Sequence, residues 1–274
     1  MTPCLCKAAC EPLTGMFGAM PITELILVRH GESRGNVARE IAEAASAERI
    51  DIDRRDADVE LSELGRDQAR SFGRWLASRP ADQPDLVWCS PYLRARQTAD
   101  IVLSEAGLER KIHLDERVRD RELGVLDMLT SVGVRAAFPA EADRRRWLGK
   151  LYYRPPGGES WSDVALRIRS LLADLERRPA AEHTRVLIVA HDAVILLFRY
   201  VCEELDEAAL FDIVRSGSIG NASLTKLARD GVDRPWRCTA YNREDHLLQF
   251  GSSPTEHPGE PDAAQPGEPD AARR

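Results

Sequence analysis

The sequence lacks any apolar run of the roughly 20 residues that a membrane-spanning helix needs. Its most hydrophobic stretch, Val186–Val201, is interrupted by His191, Asp192 and Arg199. It also lacks a basic excess: 38 Lys and Arg stand against 45 Asp and Glu, a formal net charge of −7. Non-specific nucleic-acid binding needs a basic face, so that class is set aside, as is a membrane partner. Six cysteines are present, but Cys89, Cys202 and Cys238 are far apart and form neither a disulfide ladder nor a zinc spacing. A reducing, cytoplasmic location is the expectation. The start of the chain shows no basic segment followed by an apolar core, so no secretory signal is expected.

The two ends have a different composition from the rest. Residues 1–20 carry Cys4, Cys6 and Cys10 with no histidine beside them to complete a tetrahedral metal shell, and they are expected to be a flexible leader. Near the other end Pro-Gly-Glu-Pro-Asp-Ala-Ala occurs twice, at 258–264 and 266–272. Such polar, proline-rich sequence cannot bury enough surface to offset its ordering entropy, so residues 251–274 are expected to form a disordered tail. Residues 21–250 are left as one folded unit.

Within that unit, three short runs are apolar at nearly every position: Leu25–Val28, Asp85–Cys89 and Arg185–Ala190. They predict strands buried on both faces of a largely parallel sheet. Helical stretches lie between them at Asn36–Glu48, Ser62–Ala77, Tyr92–Glu105, Ser160–Arg177 and Ala193–Glu204, and Ser223–Leu227 and Arg237–Tyr241 are weaker strands. The alternation predicts an α/β three-layer sandwich, with a mostly parallel central sheet and helices on both faces. Ligands in such folds sit outside the carboxyl ends of the strands. Two strands here, 25–30 and 187–191, each deliver a histidine to that edge.

Arg29-His30-Gly31-Glu32-Ser33 places His30 at a strand tip beside an arginine, with helix-forming sequence from about Gly35 whose free N–H groups favour an anion. Gly31 is expected to let the backbone turn closely around a ligand. In Ser90-Pro91-Tyr92-Leu93-Arg94, Pro91 suits a first helical turn and Arg94 follows in that turn. A cation there opposes the helix dipole, which a bound phosphate would justify. His191 after a buried strand is by itself more often a structural residue, but its delivery to the same edge as His30 favours its facing the site. Asp192 next to it reads first as a helix cap. Asp120-Arg121-Glu122-Leu123-Gly124 lies in a charged run that is either a solvated face or the source of a general acid.

Taken in order, these blocks resemble the histidine phosphatase superfamily in its phosphoglycerate-mutase-like branch. The resemblance covers about Glu24–Leu227 and includes Leu-Val-Arg-His-Gly-Glu-Ser at 27–33 with Asn36, Cys-Ser-Pro-Tyr-Leu-Arg-Ala-Arg-Gln-Thr-Ala at 89–99, Pro-Gly-Gly-Glu-Ser at 156–160 and Asn-Ala-Ser-Leu-Thr at 221–225. It implies a phosphomonoester hydrolase that needs neither metal nor cofactor and acts on a small phosphorylated metabolite. His30 would attack phosphorus and form a phosphohistidine, while Arg29, Arg94, His191 and Asn36 would bind the phosphoryl oxygens. Ser33, Glu122 and Asp192 would belong to the substrate-binding set. The general acid is usually a Glu four residues before a Gly, and Asp120 stands there, so Asp120 is preferred, with Glu122 and Asp192 as alternatives. A mutase is the nearest rival activity, but Val-Leu-Asp-Met-Leu-Thr after Gly124 does not resemble the mutase stretch. A binding protein for phosphorylated ligands is the remaining alternative. Substrate choice is expected from 37–60 and 125–155, where Phe138, Trp147, Tyr152 and Tyr153 either line the mouth or simply pack, and Arg144, Arg145 and Arg146 form a second anion site or a solvated face.

Overall fold

The computed structural model describes residues 22–177, 184–231 and 234–257. The six strands it describes are β1 (Ile22–Arg29), β2 (Leu86–Cys89), β3 (Ile112–Leu114), β4 (Thr184–Ala190), β5 (Leu224–Ala228) and β6 (Arg237–Arg243). They form one sheet in the order β3-β2-β4-β1-β5-β6. β3, β2, β4 and β1 run parallel, and β5 and β6 continue the sheet antiparallel. The helices are α1 (Arg34–Ala44), α2 (Glu63–Ala77), α3 (Leu93–Ala106), α4 (Ser131–Ala137), α5 (Pro139–Tyr152), α6 (Trp161–Glu176), α7 (Asp192–Cys202), α8 (Glu207–Arg215) and α9 (Asp245–Gln249).

The central strands serve two cores at once, which is why Leu25–Val28 of β1 and Val186–Ala190 of β4 are apolar at every position. Along β1, Leu25 and Leu27 point to one side and pack with Val164, Ile168 and Leu171 of α6 and with Val194 and Phe198 of α7. Ile26 and Val28 point to the other, against Phe72 and Leu76 of α2 and Ala95, Ala99 and Val102 of α3. Period-two alternation thus produces the expected three layers. Each fully buried Leu, Ile, Val or Phe here stabilises the fold by about 1.5–3 kcal/mol relative to exposure. Ser62 caps α2 by accepting from the Gly65 N–H, and Ser160 caps α6 through a reciprocal box with Asp163.

Several boundaries differ from those predicted. Pro91 lies outside α3, because Tyr92 is the N-cap and the first helical residue is Leu93. The N-cap of α7 is His191, so Asp192 is its first residue rather than its cap; Asp192 Oδ1 accepts from the Ala193 N–H. Gly31 serves the fold rather than a ligand turn, since a Cβ there would collide with the backbone of Gly65, where the start of α2 presses on the histidine loop. Gly124 has a φ of +56°, and a Cβ on it would strike the Pro156–Gly158 loop, which locks the 120–124 segment against 156–160.

The folded unit also extends beyond 250. Residues 251–257, expected as the start of a tail, return to the sheet's carboxyl edge: the Asn221 N–H donates to the Thr255 carbonyl (2.9 Å), and Gln68 Nε2 donates to Ser253 O (3.0 Å) and Thr255 Oγ1 (2.9 Å). Buried donors and acceptors recruit this polar stretch where apolar burial alone would not. The leader, Cys4, Cys6, Cys10 and residues 258–274 lie outside the described residues. Among the described residues no helix is long and apolar enough to cross a membrane, and Cys89, Cys202 and Cys238 are free thiols.

Candidate active site

The three adjacent strands β2, β4 and β1 end side by side, and the chain leaving each one carries a site residue. The His30 N–H donates to Ala190 O (3.0 Å) and the Ser90 N–H to Val189 O (3.0 Å), so the loops bearing His30, Ser90 and His191 are fixed by the sheet's own ladder. The rings of His30 and His191 meet edge to face, with centroids 5.1 Å apart. Arg29, His30, Arg94 and His191 are all buried, at 2%, 3%, 4% and 0% exposure. Cationic side chains this deeply buried need partners of opposite charge.

The hydrogen bonds define the state of His30. Its Nδ1 lies 2.7 Å from the Gly31 carbonyl, which can only accept, so Nδ1 carries the proton. Its Nε2 faces Arg94 Nε–H at 3.2 Å, which can only donate, so Nε2 presents a lone pair. Burial, then the charges of Arg94, His191 and Arg29, hold the imidazole well below its usual pKa and keep it neutral. His191 places Nε2 2.9 Å from Ser90 Oγ; the Ser90 oxygen accepts from the Tyr92 N–H, which leaves its hydroxyl proton to be donated to Nε2. Its Nδ1 faces Asp120 Oδ2 at 3.2 Å. Burial lowers the His191 pKa, opposed by Asp120.

Asp120 Oδ2 is also 3.0 Å from Arg94 Nη2. Burial pushes the Asp120 carboxyl up, but His191 and Arg94 outweigh it and hold the group well below the usual carboxylate range. Arg29 donates from Nη1 to Ile219 O and from Nη2 to His257 O (2.9 Å), while its Nε is buried with no hydrogen-bond partner. Asn36 Oδ1 accepts from the Ser33 N–H (3.0 Å) and from Asn221 Nδ2 (3.3 Å), completing the capping box of α1. Its Nδ2 has no hydrogen-bond partner among the described residues. Ser33 is therefore chiefly the cap of α1, and it lines the cavity from that position.

The cavity has a volume of about 500 Å³. All nine residues singled out in the sequence line it except His191, which sits beneath its floor against Ser90 and Asp120. Glu122 and Asp192 are on the wall, but no hydrogen bond joins either side chain to His30, Arg94 or His191 among the described residues. None of Phe138, Trp147, Tyr152 and Tyr153 lines the cavity. Tyr153 is fully buried and Trp147 is 87% exposed, and the cavity is lined instead by Ile50, Ile52, Met128, Lys150 and Trp161. Arg144, Arg145 and Arg146 do not line it. Among the described residues no His, Cys, Asp and Glu group has the makings of a metal site.

The family model described as the histidine phosphatase superfamily, branch 1, matches residues 25–244. The chain belongs to this superfamily. A glucosyl-3-phosphoglycerate phosphatase of Mycobacterium tuberculosis is 33% identical over 235 residues, covering 81% of this chain and 96% of the relative. A 2,3-bisphosphoglycerate-dependent phosphoglycerate mutase of Methylobacterium radiotolerans is 32% identical over 195 residues, 70% of this chain and 85% of the mutase. Among solved structures, a mycobacterial glucosyl-3-phosphoglycerate phosphatase in complex with inorganic phosphate matches with a TM-score of 0.64 at 29% identity, over 82% of this chain and 99% of that one. The protein is a phosphatase of the phosphoglycerate-mutase-like kind.

Four features of this histidine phosphatase site were not found in the sequence. Ser90 supports the buried nitrogen of His191, and Asn221 ties the His30 carbonyl (3.2 Å) to Asn36. His257 braces the histidine loop through Glu32 (Nε2 to Oε2, 3.0 Å) and offers its carbonyl to Arg29. Asp56 grips Arg94. Ser90 and Asn221 lie inside motif blocks; for Ser90 the available signal was a polar residue directly after the strand β2, whereas Asn221 comes three residues before β5. For His257 and Asp56 no local pattern exists, because their partners are distant in sequence.

Proposed function

We propose that the chain hydrolyses a phosphomonoester of a small metabolite through a phosphohistidine on His30. The observation that carries this is the neutral imidazole of His30, whose lone-pair nitrogen faces the buried Arg94, with the His191 ring against it and the buried Arg29 lining the same cavity. Such fixed donors stabilise the charge that spreads over the phosphoryl oxygens during transfer. Arg29 Nε, Arg94 and Asn36 Nδ2 supply them from the cavity wall, and His191 Nδ1–H, which faces Asp120, joins them once Asp120 is protonated. His30 Nε2 attacks phosphorus, and the bond from phosphorus to the leaving oxygen breaks.

Asp120 is the acid that protonates that oxygen. With Arg94 and His191 as partners its carboxyl is ionised. A phosphoryl dianion drawn to the same cations competes for their charge and adds its own, which drives Asp120 to take up a proton. After the leaving alcohol departs, the ionised Asp120 accepts a proton from the water that attacks the phosphohistidine, and inorganic phosphate is released. Asp120 alone of the three carboxylates is in contact with both Arg94 and His191. Glu122 and Asp192 then bound the substrate from the wall.

The roughly 500 Å³ cavity suits a small phosphorylated metabolite. The relatives make phosphorylated sugar acids and glycerate phosphates the first compounds to test. The direct test is hydrolysis of p-nitrophenyl phosphate with EDTA present. Turnover supports the proposal, and phosphate binding without turnover contradicts it. The mutase relative motivates the second reading, which isomerisation of a phosphoglycerate without phosphate release would favour.

A further inference from the structure

The guanidinium of Arg94 has five N–H donors, and five acceptor contacts surround them. Nε–H faces His30 Nε2 at 3.2 Å. Nη1 reaches Asp56 Oδ1 at 3.1 Å and the Asp56 carbonyl at 2.7 Å. Nη2 reaches Asp56 Oδ2 at 2.9 Å and Asp120 Oδ2 at 3.0 Å. The carboxylate of Asp56 therefore holds Arg94 with both oxygens. This is the fork geometry by which guanidinium groups also take phosphate. A phosphoryl oxygen cannot bind Arg94 without displacing one of these acceptors.

Asp56 is the acceptor best placed to leave. Its side chain is 40% exposed, against 25% for Asp120. His30 and Asp120 come from the sheet's carboxyl edge and the locked 120–124 segment, whereas Asp56 sits in the short 3-10 turn Asp56–Asp58 between α1 and α2. The ends of that connection are pinned by bridges from Arg49 to Leu129 and from Ser33 to Leu61. Within the turn the backbone bonds are short-range, Asp58 N–H to Arg55 O and Val59 N–H to Asp56 O, and the bond from Arg94 Nη1 to the Asp56 carbonyl holds its backbone rather than its carboxylate. The Asp56 carboxylate can swing outward while the ends of the connection stay fixed.

We propose that Asp56 is an internal competitor for the phosphate-binding edge of Arg94, displaced by the phosphoryl group, and that it thereby sets the affinity of the site for phosphate. The inference rests on reading His30, Arg94 and His191 as a phosphate pocket. Its consequence is uniform: substrate and product phosphate each give up part of their binding to expel the carboxylate. Product then leaves readily, and inhibition by phosphate is weak.

The test is calorimetric titration of the full chain with inorganic phosphate, in wild type, Asp56→Ala and Asp56→Asn, beside steady-state hydrolysis of p-nitrophenyl phosphate. Loss of a charge-assisted two-point contact corresponds to about a tenfold effect. Asp56→Ala is expected to bind phosphate about tenfold more tightly, with KM and the product-inhibition constant falling alike and kcat not rising. Asp56→Asn, which keeps an acceptor but loses the charge, falls between. It also carries the test if thermal unfolding shows that the alanine variant is misfolded. Unchanged or weaker phosphate binding by both variants of an active enzyme overturns the role of Asp56 alone. So does a loss of kcat confined to alkyl phosphates, which would make Asp56 the acid. A wild-type chain that neither binds phosphate nor turns over overturns the phosphatase reading and this inference with it.

Discussion

Replacing Asp120 by Asn separates its charge from its shape. The side chain keeps an oxygen that can accept from Arg94 at 3.0 Å and stay near His191 at 3.2 Å, so the pocket's outline is retained. It loses the ability to hold and deliver a proton. General acid catalysis contributes about 10²–10⁴-fold when the leaving group is poor. An alkyl phosphate should therefore lose about that factor in kcat/KM. A p-nitrophenolate leaving group needs no proton to depart, so p-nitrophenyl phosphate should lose far less in the phosphorylation step. Removing a negative charge from between Arg94 and His191 should also improve phosphate binding, giving KM and kcat effects of opposite benefit. The assay is kcat/KM across a series of phosphate esters of rising leaving-group pKa, for Asp120→Asn, Glu122→Gln and Asp192→Asn. A steepened slope in Asp120→Asn alone is expected. Equal losses on good and poor leaving groups, or a steepened slope in either other variant, would refute the assignment of Asp120.

His257→Ala removes the partner of a buried carboxylate, Glu32, whose remaining bond is from Ser62 Oγ (2.6 Å), and it should cost about 1.5–3 kcal/mol in urea unfolding. A change below about 0.5 kcal/mol would show that the 251–257 segment is not the brace described. Acid stability should follow the buried histidines. Burial holds His246 at about 4 against its usual 6.5, while its ring bonds the Ala222 carbonyl at 2.9 Å. Between those values the unfolded chain binds the proton and the folded one does not, so stability should fall as pH drops from about 6.5 towards about 4, by about 3 kcal/mol from His246 alone. Equilibrium unfolding at pH 7 and pH 4.5 checks this, and equal stabilities would contradict it.

The parts of the molecule visible in the sequence are those set by local pattern. Runs apolar at every residue gave β1, β2 and β4, because a strand buried on both faces has no polar side to show. Ser62 before the periodic stretch of α2 marked its cap. The site's arginines and histidines were legible because strand ends deliver them to one edge, as the 5.1 Å approach of His30 and His191 illustrates. Long-range polar partnership was not legible. Asp56 looks like one more acid in a charged connection until Arg94 is seen within its reach, 38 residues away in sequence. Residues 251–257 have a tail's composition, and buried partners distant in sequence, Gln68, Asn221, Arg29 and Glu32, give them a reason to fold. The mouth stayed open in the sequence for a related reason: Trp161 and Tyr153 are both aromatic, and only tertiary packing decides which one faces the cavity.

During turnover, His30 Nε2 is the atom expected to become bonded to phosphorus. Rapid quenching of the enzyme during turnover, followed by peptide mass spectrometry under alkaline conditions that preserve phosphohistidine, addresses it directly. The account predicts phosphate on His30, and loss of both label and turnover in His30→Ala. Label on His191, or an active His30→Ala enzyme, would contradict it.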